Sequence, residues 1–388
     1  MPHSTTPPLG VGMVGYAFMG AAHSQGWRTV ARAYDLPLSP VLAAVCGRDP
    51  GAVRAAADKL GWAAAETDWR ALIARDDVSL VDICTPGDSH AEIAIAALEA
   101  GKHVLCEKPL ANTVAEAEAM TEAARAASER GQIAMVGFNY RRVPALALAR
   151  RLVADGRIGT LRHVRVSYLQ DWGEDSDLPL VWRLQKEKAG SGALGDLGAH
   201  IVDLAQHLSG ELLTGVSAQT ETFITERALP GGGPGETGRV TVDDAAVFTG
   251  RLASGALTSF EVSRLAAGRK NQLRIELNGS DGSLAFDLER LNELEFHDHT
   301  LPGAEAGFRR ILATEPDHPY LEGWWPPGHG LGYEHTFTHQ ARDLVRAIAE
   351  GVQPEPTFAD GLQVQRVLAA IEESAEKNAV FTPVPAAE

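Results

Sequence analysis

Cysteine is scarce in this chain, with only Cys46, Cys84 and Cys106 among 388 residues. A small, odd number of thiols in a long chain excludes a disulfide framework. Each cysteine ends an apolar run, which favours buried, inert strand thiols and leaves a reactive thiol as the alternative. The first ten residues have neither the basic nor the apolar region of a secretory signal, so we expect a cytoplasmic protein.

Basic residues and long apolar runs are also lacking. The chain has 35 lysines and arginines against 51 aspartates and glutamates, a formal net charge of -16. Such a surface repels nucleic-acid phosphates and anionic lipids. No uninterrupted apolar run approaches the roughly 20 residues that a membrane span needs. We therefore expect a small-molecule substrate, no nucleic acid and no membrane.

The length of the chain exceeds what a single hydrophobic core normally supports, so two domains are expected. In residues 1–138, apolar runs at 9–15, 41–46 and 79–86 alternate with amphipathic stretches. This alternation is typical of an α/β domain whose parallel sheet is covered on both faces. We predict an N-terminal Rossmann domain that binds a dinucleotide.

The pattern changes after residue 138. In residues 139–388 strand-like runs follow one another, a hairpin signal stands at 278–282, and helices are predicted near 196–208, 335–350 and 360–377. This predicts a C-terminal α+β domain with an open, mainly antiparallel sheet, for substrate binding and oligomerisation. An exposed apolar sheet face usually marks an interface, so a homodimer or homotetramer is expected.

The first strand leads into the turn GYAFMG, from Gly15 to Gly20, in which Ala17 replaces the middle glycine of the dinucleotide motif. That motif needs a tight turn, close approach of the backbone to pyrophosphate, and a helix N-terminus that faces the anion. A purely structural strand–turn–helix is the alternative. The βαβ setting favours dinucleotide binding.

Cofactor choice depends on the end of the second strand. An acidic residue there would bind the ribose 2′-hydroxyl and disfavour a 2′-phosphate. The position holds Gly47, followed by Arg48, whose guanidinium suits a phosphate. This favours NADP. Asp49, the next residue, is acidic and could turn towards the ribose, so NAD stays an alternative.

Two segments are candidates for the chemistry. Lys108 follows an apolar strand, and open parallel sheets bind ligands at the carboxyl ends of their strands; a surface lysine is the alternative. Asp196, His200, Asp203 and His207 share one face of a predicted helix. Here the alternatives are that Asp196 caps the helix and that His200 is a satisfied, half-buried histidine.

Taken together, these motifs resemble the Gfo/Idh/MocA family of oxidoreductases across essentially the whole chain. The resemblance depends on the Gly15 turn with His23, on the Thr85-Pro86 and Glu107-Lys108-Pro109 segments, and on the run from Gly192 to Asp203. It implies an NAD(P)-dependent dehydrogenase that oxidises a secondary ring hydroxyl of a sugar, an anhydrosugar or a cyclitol. Gly87, where the family often has asparagine, departs from the pattern, as Ala17 does.

The resemblance also implies the site residues. The catalytic set is Lys108, Asp196 and His200: the lysine ammonium hydrogen-bonds the reacting oxygen, and the histidine, with an ordinary pKa of about 6.5, takes the proton. The residues expected to bind the cofactor are Gly15, Ala17, Phe18, Met19, Gly47, Arg48, Thr85, Pro86, His90, Glu107, Lys108 and Pro109.

Four residues join Asp196 and His200 as substrate candidates, all expected in the second domain: Tyr140, Arg141, Trp172 and Arg183. Aromatic faces suit the C–H face of a sugar ring. The alternatives are core positions for the two aromatic residues and an ion pair between Arg183 and Asp171. Two pairs of histidines have ligand-like spacing, but neither has a neighbouring cysteine or carboxylate cluster, so no metal is expected.

Two other functions compete with a dehydrogenase. Glycoside cleavage through transient oxidation would keep the cofactor bound and accumulate no reduced nicotinamide. A regulator would bind dinucleotide and a partner without turnover, and the presence of Lys108, Asp196 and His200 together argues against it.

Overall fold

The computed structural model of the protein describes residues 6–233 and 235–385. Packing separates two compact units. The first consists of the described residues up to Arg142, with 322–324 and 332–362; the second consists of 143–321, 325–331 and the described residues from Gln363 onwards. Among the helices described, none has the length and apolar character required to cross a bilayer.

The first unit is built on a six-stranded parallel sheet of the Rossmann type, in the order β3-β2-β1-β4-β5-β6. Its strands are β1 Pro8–Val14, β2 Ser39–Cys46, β3 Ala64–Glu66, β4 Leu80–Ile83, β5 His103–Cys106 and β6 Ala134–Val136. Its early helices are α1 Phe18–Ala33, α2 Pro50–Leu60, α3 Trp69–Ile73, α4 His90–Glu99 and α5 Val114–Ser128. The strand order reverses between β1 and β4, which is where such sheets bind ligands.

The expected boundary at residue 138 lies close to Arg142, but the first unit also takes in a segment from near the end of the chain. Helix α9 His335–Glu350 lies against α1, and its Ala341 and Leu344 join the core that contains Trp27. A Cβ atom on Gly26 would lie 2.9 Å from the Phe337 main chain, so the two helices pack closely. A continuous second domain over 139–388 therefore differs from the observed packing, because the apolar face of α9 is buried on α1.

The second unit contains a nine-stranded, mainly antiparallel sheet in the order β16-β15-β14-β13-β7-β12-β11-β8-β17. The nine strands are β7 Leu161–Leu169, β8 Leu213–Glu221, β11 Ala245–Leu252, β12 Leu257–Ser263, β13 Gln272–Gly279, β14 Gly282–Asp287, β15 Glu293–Asp298, β16 Arg309–Leu312 and β17 Thr382–Pro383. The β7–β12 pair is parallel, and β13–β14 forms the expected hairpin. Strands β9 Glu226–Ala228 and β10 Thr237–Arg239 form a separate ribbon.

Three helices of the second unit are α6 Pro144–Ala154, α7 Lys186–Ala189 and α8 Ala199–Ser209. The long α10 Phe358–Glu376 runs through the division between the units. Helix α8 packs on β7, where alternate side chains are buried because successive side chains of a strand point to opposite faces. Phe248 and Phe260 stack at 4.5 Å within the same core.

The outward face of this sheet is not the apolar surface that was expected. Exposed Val247 and Leu257 share it with charged neighbours, and Arg165 donates to Glu276 at 2.7 Å. The apolar-face expectation was wrong because the outward positions of β7 and β13 carry arginine and glutamate.

Candidate active site

The turn after β1 is shaped by two glycines. Gly15 has a φ of 98°, and a Cβ atom there would lie 2.7 Å from the Cys84 carbonyl oxygen. Only glycine adopts that conformation without strain. A Cβ atom on Gly20 would lie 2.2 Å from the Gly15 carbonyl oxygen. The start of α1 is therefore held directly beneath the turn.

The N-terminus of α1 is suited to an anion. Its cap residue is Ala17, which makes no side-chain hydrogen bond to the helix, and the first turn contains no acidic residue. Amide groups that no side chain caps, together with the positive end of the helix dipole, favour a bound phosphate. Ala17 and Phe18 are both exposed. These residues fit the pyrophosphate of a dinucleotide.

The end of β2 carries no acidic side chain directed at a ribose. A Cβ atom on Gly47 would lie 2.0 Å from the Tyr16 ring, so the ring occupies the space that a side chain would need. Asp49 caps α2 by accepting a hydrogen bond from the Ala52 amide at 2.7 Å. Arg48 is exposed. The sequence had left NAD as an alternative because of the Asp49 carboxylate. In the structure that carboxylate caps α2.

His90 joins two loops at the carboxyl edge of the first sheet. Its Nε2 lies 2.9 Å from the Thr85 carbonyl oxygen, and its Nδ1 lies 3.0 Å from the Pro109 carbonyl oxygen. The side chain is 1% exposed. His90 was predicted to bind the cofactor, and its contacts in this structure join the two loops that carry Thr85 and Pro109.

A buried charge cluster lies beneath Lys108. The His23 Nδ1 contacts Asp82 at 3.0 Å, and its Nε2 contacts Glu107 Oε1 at 2.9 Å. The Trp27 indole also donates to Asp82, at 2.7 Å. Burial alone would lower the pKa of His23, but the Asp82 charge and hydrogen bond outweigh it and raise that pKa well above its ordinary value. His23 is therefore an imidazolium that lies between the Asp82 and Glu107 carboxylates.

The same cluster contains Glu107, which was predicted to bind the cofactor. The residue is 4% exposed, and its Oε1 accepts a hydrogen bond from His23. Its other oxygen accepts from the Lys108 main-chain amide at 3.3 Å. Lys108 itself is half-buried and follows β5 by two residues, at the edge that carries the Gly15 turn and Thr85. The peptide bond between Lys108 and Pro109 is cis.

In the second unit, Asp196 lies in a π-helical turn, Leu194–Gly198, that leads into α8. Asp243, which is distant in sequence, stabilises the start of this turn: its carboxylate accepts from the Gly192 and Leu194 amides at 2.7 Å each. A Cβ atom on Gly192 would lie 1.8 Å from the Asp243 carbonyl oxygen. Asp196 is thus not the cap: the residue before the turn is Ala193, and the Asp196 carboxylate accepts a hydrogen bond from Arg264. Single π-helical turns often occur at functional sites.

Arg264, directly after β12, contacts three of the predicted substrate residues. Its Nη2 donates to Asp196 Oδ2 at 3.0 Å, and its Nη1 donates to the Arg183 carbonyl oxygen at 3.2 Å. Its guanidinium lies 5.0 Å from the centre of the Trp172 ring. Arg264 is 2% exposed. The predicted alternative for Arg183 does not occur, because Asp171 accepts from Lys270 instead.

His200 lies in the first turn of α8 and is 7% exposed. Its ring centre is 6.0 Å from that of Tyr168. Tyr168 donates to Asn271 at 2.7 Å, and Trp172 donates to Gln170 at 2.8 Å. The second unit therefore places an imidazole, a carboxylate, side-chain amides, a buried tyrosine ring and a half-buried tryptophan ring within one group of segments.

Comparison with known proteins supports both halves. Residues 9–138 match the oxidoreductase family with an NAD-binding Rossmann fold, and residues 146–285 match the Gfo/Idh/MocA C-terminal domain. Levoglucosan dehydrogenase of Pseudarthrobacter phenanthrenivorans is 43% identical over 382 residues, covering 95% of this chain and 97% of that protein. The chain belongs to the Gfo/Idh/MocA family of oxidoreductases.

Other Gfo/Idh/MocA proteins extend the comparison. Inositol 2-dehydrogenase of Rhizobium meliloti is 28% identical, over 95% of this chain and 98% of that protein. A crystal structure of levoglucosan dehydrogenase with NADH and levoglucosan has a TM-score of 0.93 and 43% identity, covering 98% of this chain and 100% of that one. An oxidoreductase domain protein from Kribbella flavida has a TM-score of 0.95 and 66% identity over the same shares. The predicted family and fold class are confirmed.

Two predicted substrate residues of this Gfo/Idh/MocA chain lie in the first unit and not in the second. Tyr140 and Arg141 belong to a short buried turn after β6. Arg141 pairs with Asp360 at 3.3 Å, and Asn139 donates to Thr336 at 2.9 Å. These bonds hold the turn in the first unit.

Sequence reasoning missed Arg264 and Asp243, since neither belongs to a motif of the Gfo/Idh/MocA family that the sequence analysis used. The signal available was weak: each is a charged residue next to a strand. The three cysteines are buried, as predicted, and burial raises the pKa of Cys46 to about 12.

One histidine of the pairs with ligand-like spacing is His339, whose ring makes two hydrogen bonds. His339 accepts from the Trp324 indole at 2.8 Å and contacts the Arg142 carbonyl oxygen at 2.9 Å. Burial lowers the pKa of His339 to about 3, so it is neutral. In the described residues, one group has metal-ligand proximity: His23, Asp82 and Cys84. The hydrogen bonds of the buried charge cluster account for that group.

Proposed function

We propose that this chain oxidises a secondary ring hydroxyl of a sugar, an anhydrosugar or a cyclitol to a ketone. The observation that carries the proposal is the group around Asp196 and His200, where an acid, a base and aromatic faces suit a polyol ring. The 43% identity to levoglucosan dehydrogenase along almost the whole chain supports an anhydrosugar as the first substrate to test.

The proposed division of labour follows from the charges of the residues. A bound dinucleotide, with its pyrophosphate held by the Gly15 turn and the α1 N-terminus, would supply the nicotinamide that accepts the hydride. Lys108 stabilises the alkoxide that develops on the reacting oxygen, because its ammonium carries the opposite charge. His200 removes the proton of the reacting hydroxyl. Asp196 accepts a hydrogen bond from another substrate hydroxyl and thereby orients the substrate ring.

Reduction of NAD and NADP, followed by absorbance of the reduced nicotinamide, tests this proposal on levoglucosan, glucose and myo-inositol in parallel. We expect one of these polyols to give a time-dependent signal and a ketone product. Binding of NADH without reduction by any polyol would contradict the proposal. A cleaved glycoside without accumulated NADH would instead support the transient-oxidation alternative.

We further propose that the chain accepts NADP as well as NAD. Tyr16 fills the space beside Gly47 and Asp49 caps α2, so the residues that end β2 present Arg48 to a 2′-phosphate. The structure of levoglucosan dehydrogenase in complex with NADH supports NAD as a cofactor of this chain.

Arg48→Ala is expected to lower kcat/KM for NADP by roughly 10- to 150-fold and to change that for NAD less than twofold, because a charge-assisted hydrogen bond is worth about 1.5–3 kcal/mol. Steady-state kinetics with both cofactors measures this. Arg54→Ala, on the exposed side of α2, is the matched control. An equal loss with both cofactors would show that Arg48 does not recognise the phosphate.

A homo-oligomer and a cytoplasmic location complete the proposal. The outward face of the second sheet mixes Val247 and Leu257 with charged residues, which resembles the composition of non-obligate interfaces. Light scattering coupled to gel filtration should give a multiple of 41.3 kDa, and a mass equal to that value would refute the oligomer. The three buried free thiols suit a reducing compartment.

A further inference from the structure

We infer that Arg264 is a positioning residue that aims the Asp196 carboxylate and aligns the Trp172 and Arg183 segments around the substrate. This inference rests on the proposed function, since Arg264 would act on the substrate through Asp196. The observation behind it is that one buried guanidinium contacts all three segments.

Main-chain hydrogen bonds and burial hold Arg264 in place independently of its side-chain partners. Its main-chain amide donates to the Asp244 carbonyl oxygen at 3.0 Å, and its carbonyl oxygen accepts from the Gly173 amide at 3.0 Å. Both ends of the residue are therefore tied to neighbouring segments. With 2% of the residue exposed, the side chain has little room for another rotamer.

The guanidinium suits this position because it is planar and carries several donors in a fixed arrangement. One nitrogen engages Asp196 Oδ2 while another engages the Arg183 carbonyl oxygen, so the carboxylate and the main chain of residue 183 are held on a common rigid group. Lysine would carry the same charge but would lack the fixed planar arrangement of several donors.

The electrostatics point the same way. Burial lowers the pKa of Arg183, and the Asp196 charge acts against that lowering. Arg264 donates to Asp196 Oδ2 at 3.0 Å, and this ion pair restrains the Asp196 side chain, of which 30% is exposed. A restrained carboxylate offers a substrate hydroxyl an acceptor in a fixed direction, which lowers the cost of orienting the ring.

The helix that carries Asp196 is fixed from the other side. Asp243 stabilises the start of the π-helical turn, and Asp244, the next residue, accepts from the Arg264 amide. The same loop before β11 therefore positions both the helix and the arginine. Asp196 is held at its backbone through Asp243 and at its side chain through Arg264.

A double-mutant cycle tests the inference. Arg264→Met is expected to lower kcat/KM for the sugar by roughly 10²-fold, because a misplaced group of this kind costs about that much. In an Asp196→Asn background the same change should cost less than about threefold, since the group through which it acts is already altered. Arg264→Lys should recover part of the loss.

Several controls separate positioning from stability. The dissociation constant for NADH, which binds the first unit, should stay within twofold in every variant. Arg269→Met, an exposed arginine five residues further on, should match the wild type. Circular dichroism and thermal melting identify any variant that is not folded, and Arg264→Lys then replaces Arg264→Met in the cycle.

The failures are distinguishable. Equal losses from Arg264→Met in both backgrounds, or no loss in either, would overturn the positioning role. If Asp196→Asn alone leaves turnover unchanged, or the wild type oxidises no polyol, the proposed function fails instead. Calorimetric titration of levoglucosan into the NADH complex of each variant measures the same coupling as a ratio of binding constants, without turnover.

Discussion

Replacing Lys108 with methionine is expected to lower kcat for polyol oxidation by roughly 10²–10⁴-fold, the range for loss of an acid–base or charge-stabilising group. The long side chain is kept and its positive charge is lost, so the alkoxide loses its stabilising partner. Stopped-flow measurement of hydride transfer under saturating substrate isolates this step from product release.

The companion measurements show whether the loss is chemical. NADH binding to Lys108→Met should remain near that of the wild type, because the Gly15 turn and the α1 N-terminus are unchanged. Lys59→Met, on exposed α2, is the matched control and should keep full turnover. Activity within threefold of the wild type in Lys108→Met would remove Lys108 from the catalytic set.

Replacing His23 with alanine is expected to lower the free energy of unfolding of the first unit by about 3–5 kcal/mol. The change removes the cation between Asp82 and Glu107 and leaves two buried carboxylates without their shared partner. Urea denaturation followed by circular dichroism measures the loss.

The pH dependence gives this prediction a second, independent readout. The pKa of His23 is raised in the folded protein, so its stabilising contribution is complete below the unfolded value of about 6.5. That contribution declines as the pH rises through the folded pKa, and the difference between variant and wild type should shrink with it. His299→Ala, at an exposed position, should stay within about 0.5 kcal/mol of the wild type. A His23→Ala variant as stable as the wild type would show that the cluster is not charged.

The elements of this fold could be predicted from the sequence where a period or a turn signal was clear. The hairpin signal at 278–282 coincides with the turn between β13 and β14. Helix α9 was predicted at 335–350 and is found there. Its partner could not be predicted, because an amphipathic pattern shows which face is buried and not what covers it. The packing of α9 on α1 joins residues that are some 300 positions apart in the chain.

The candidate site shows a similar division. Gly15, Lys108, Asp196 and His200 stand out because motifs fix their type and spacing. The motifs did not show which way Glu107 and His90 point, and both turned out to be buried. Arg264 has no motif at all: its importance comes from three contacts with segments that are 68 or more residues away in sequence.

The return of residues 332–362 to the first unit sets an order for biosynthesis. A ribosome releases the six strands of the parallel sheet early, yet α9 leaves the exit tunnel only after residues 143–331, roughly 10 to 40 seconds later at ordinary elongation rates. Until then Trp27 and Val30 on α1 lack the helix that covers them. We therefore expect the first unit to expose apolar surface of α1 during synthesis and to complete its core only after residues 332–362 have been made.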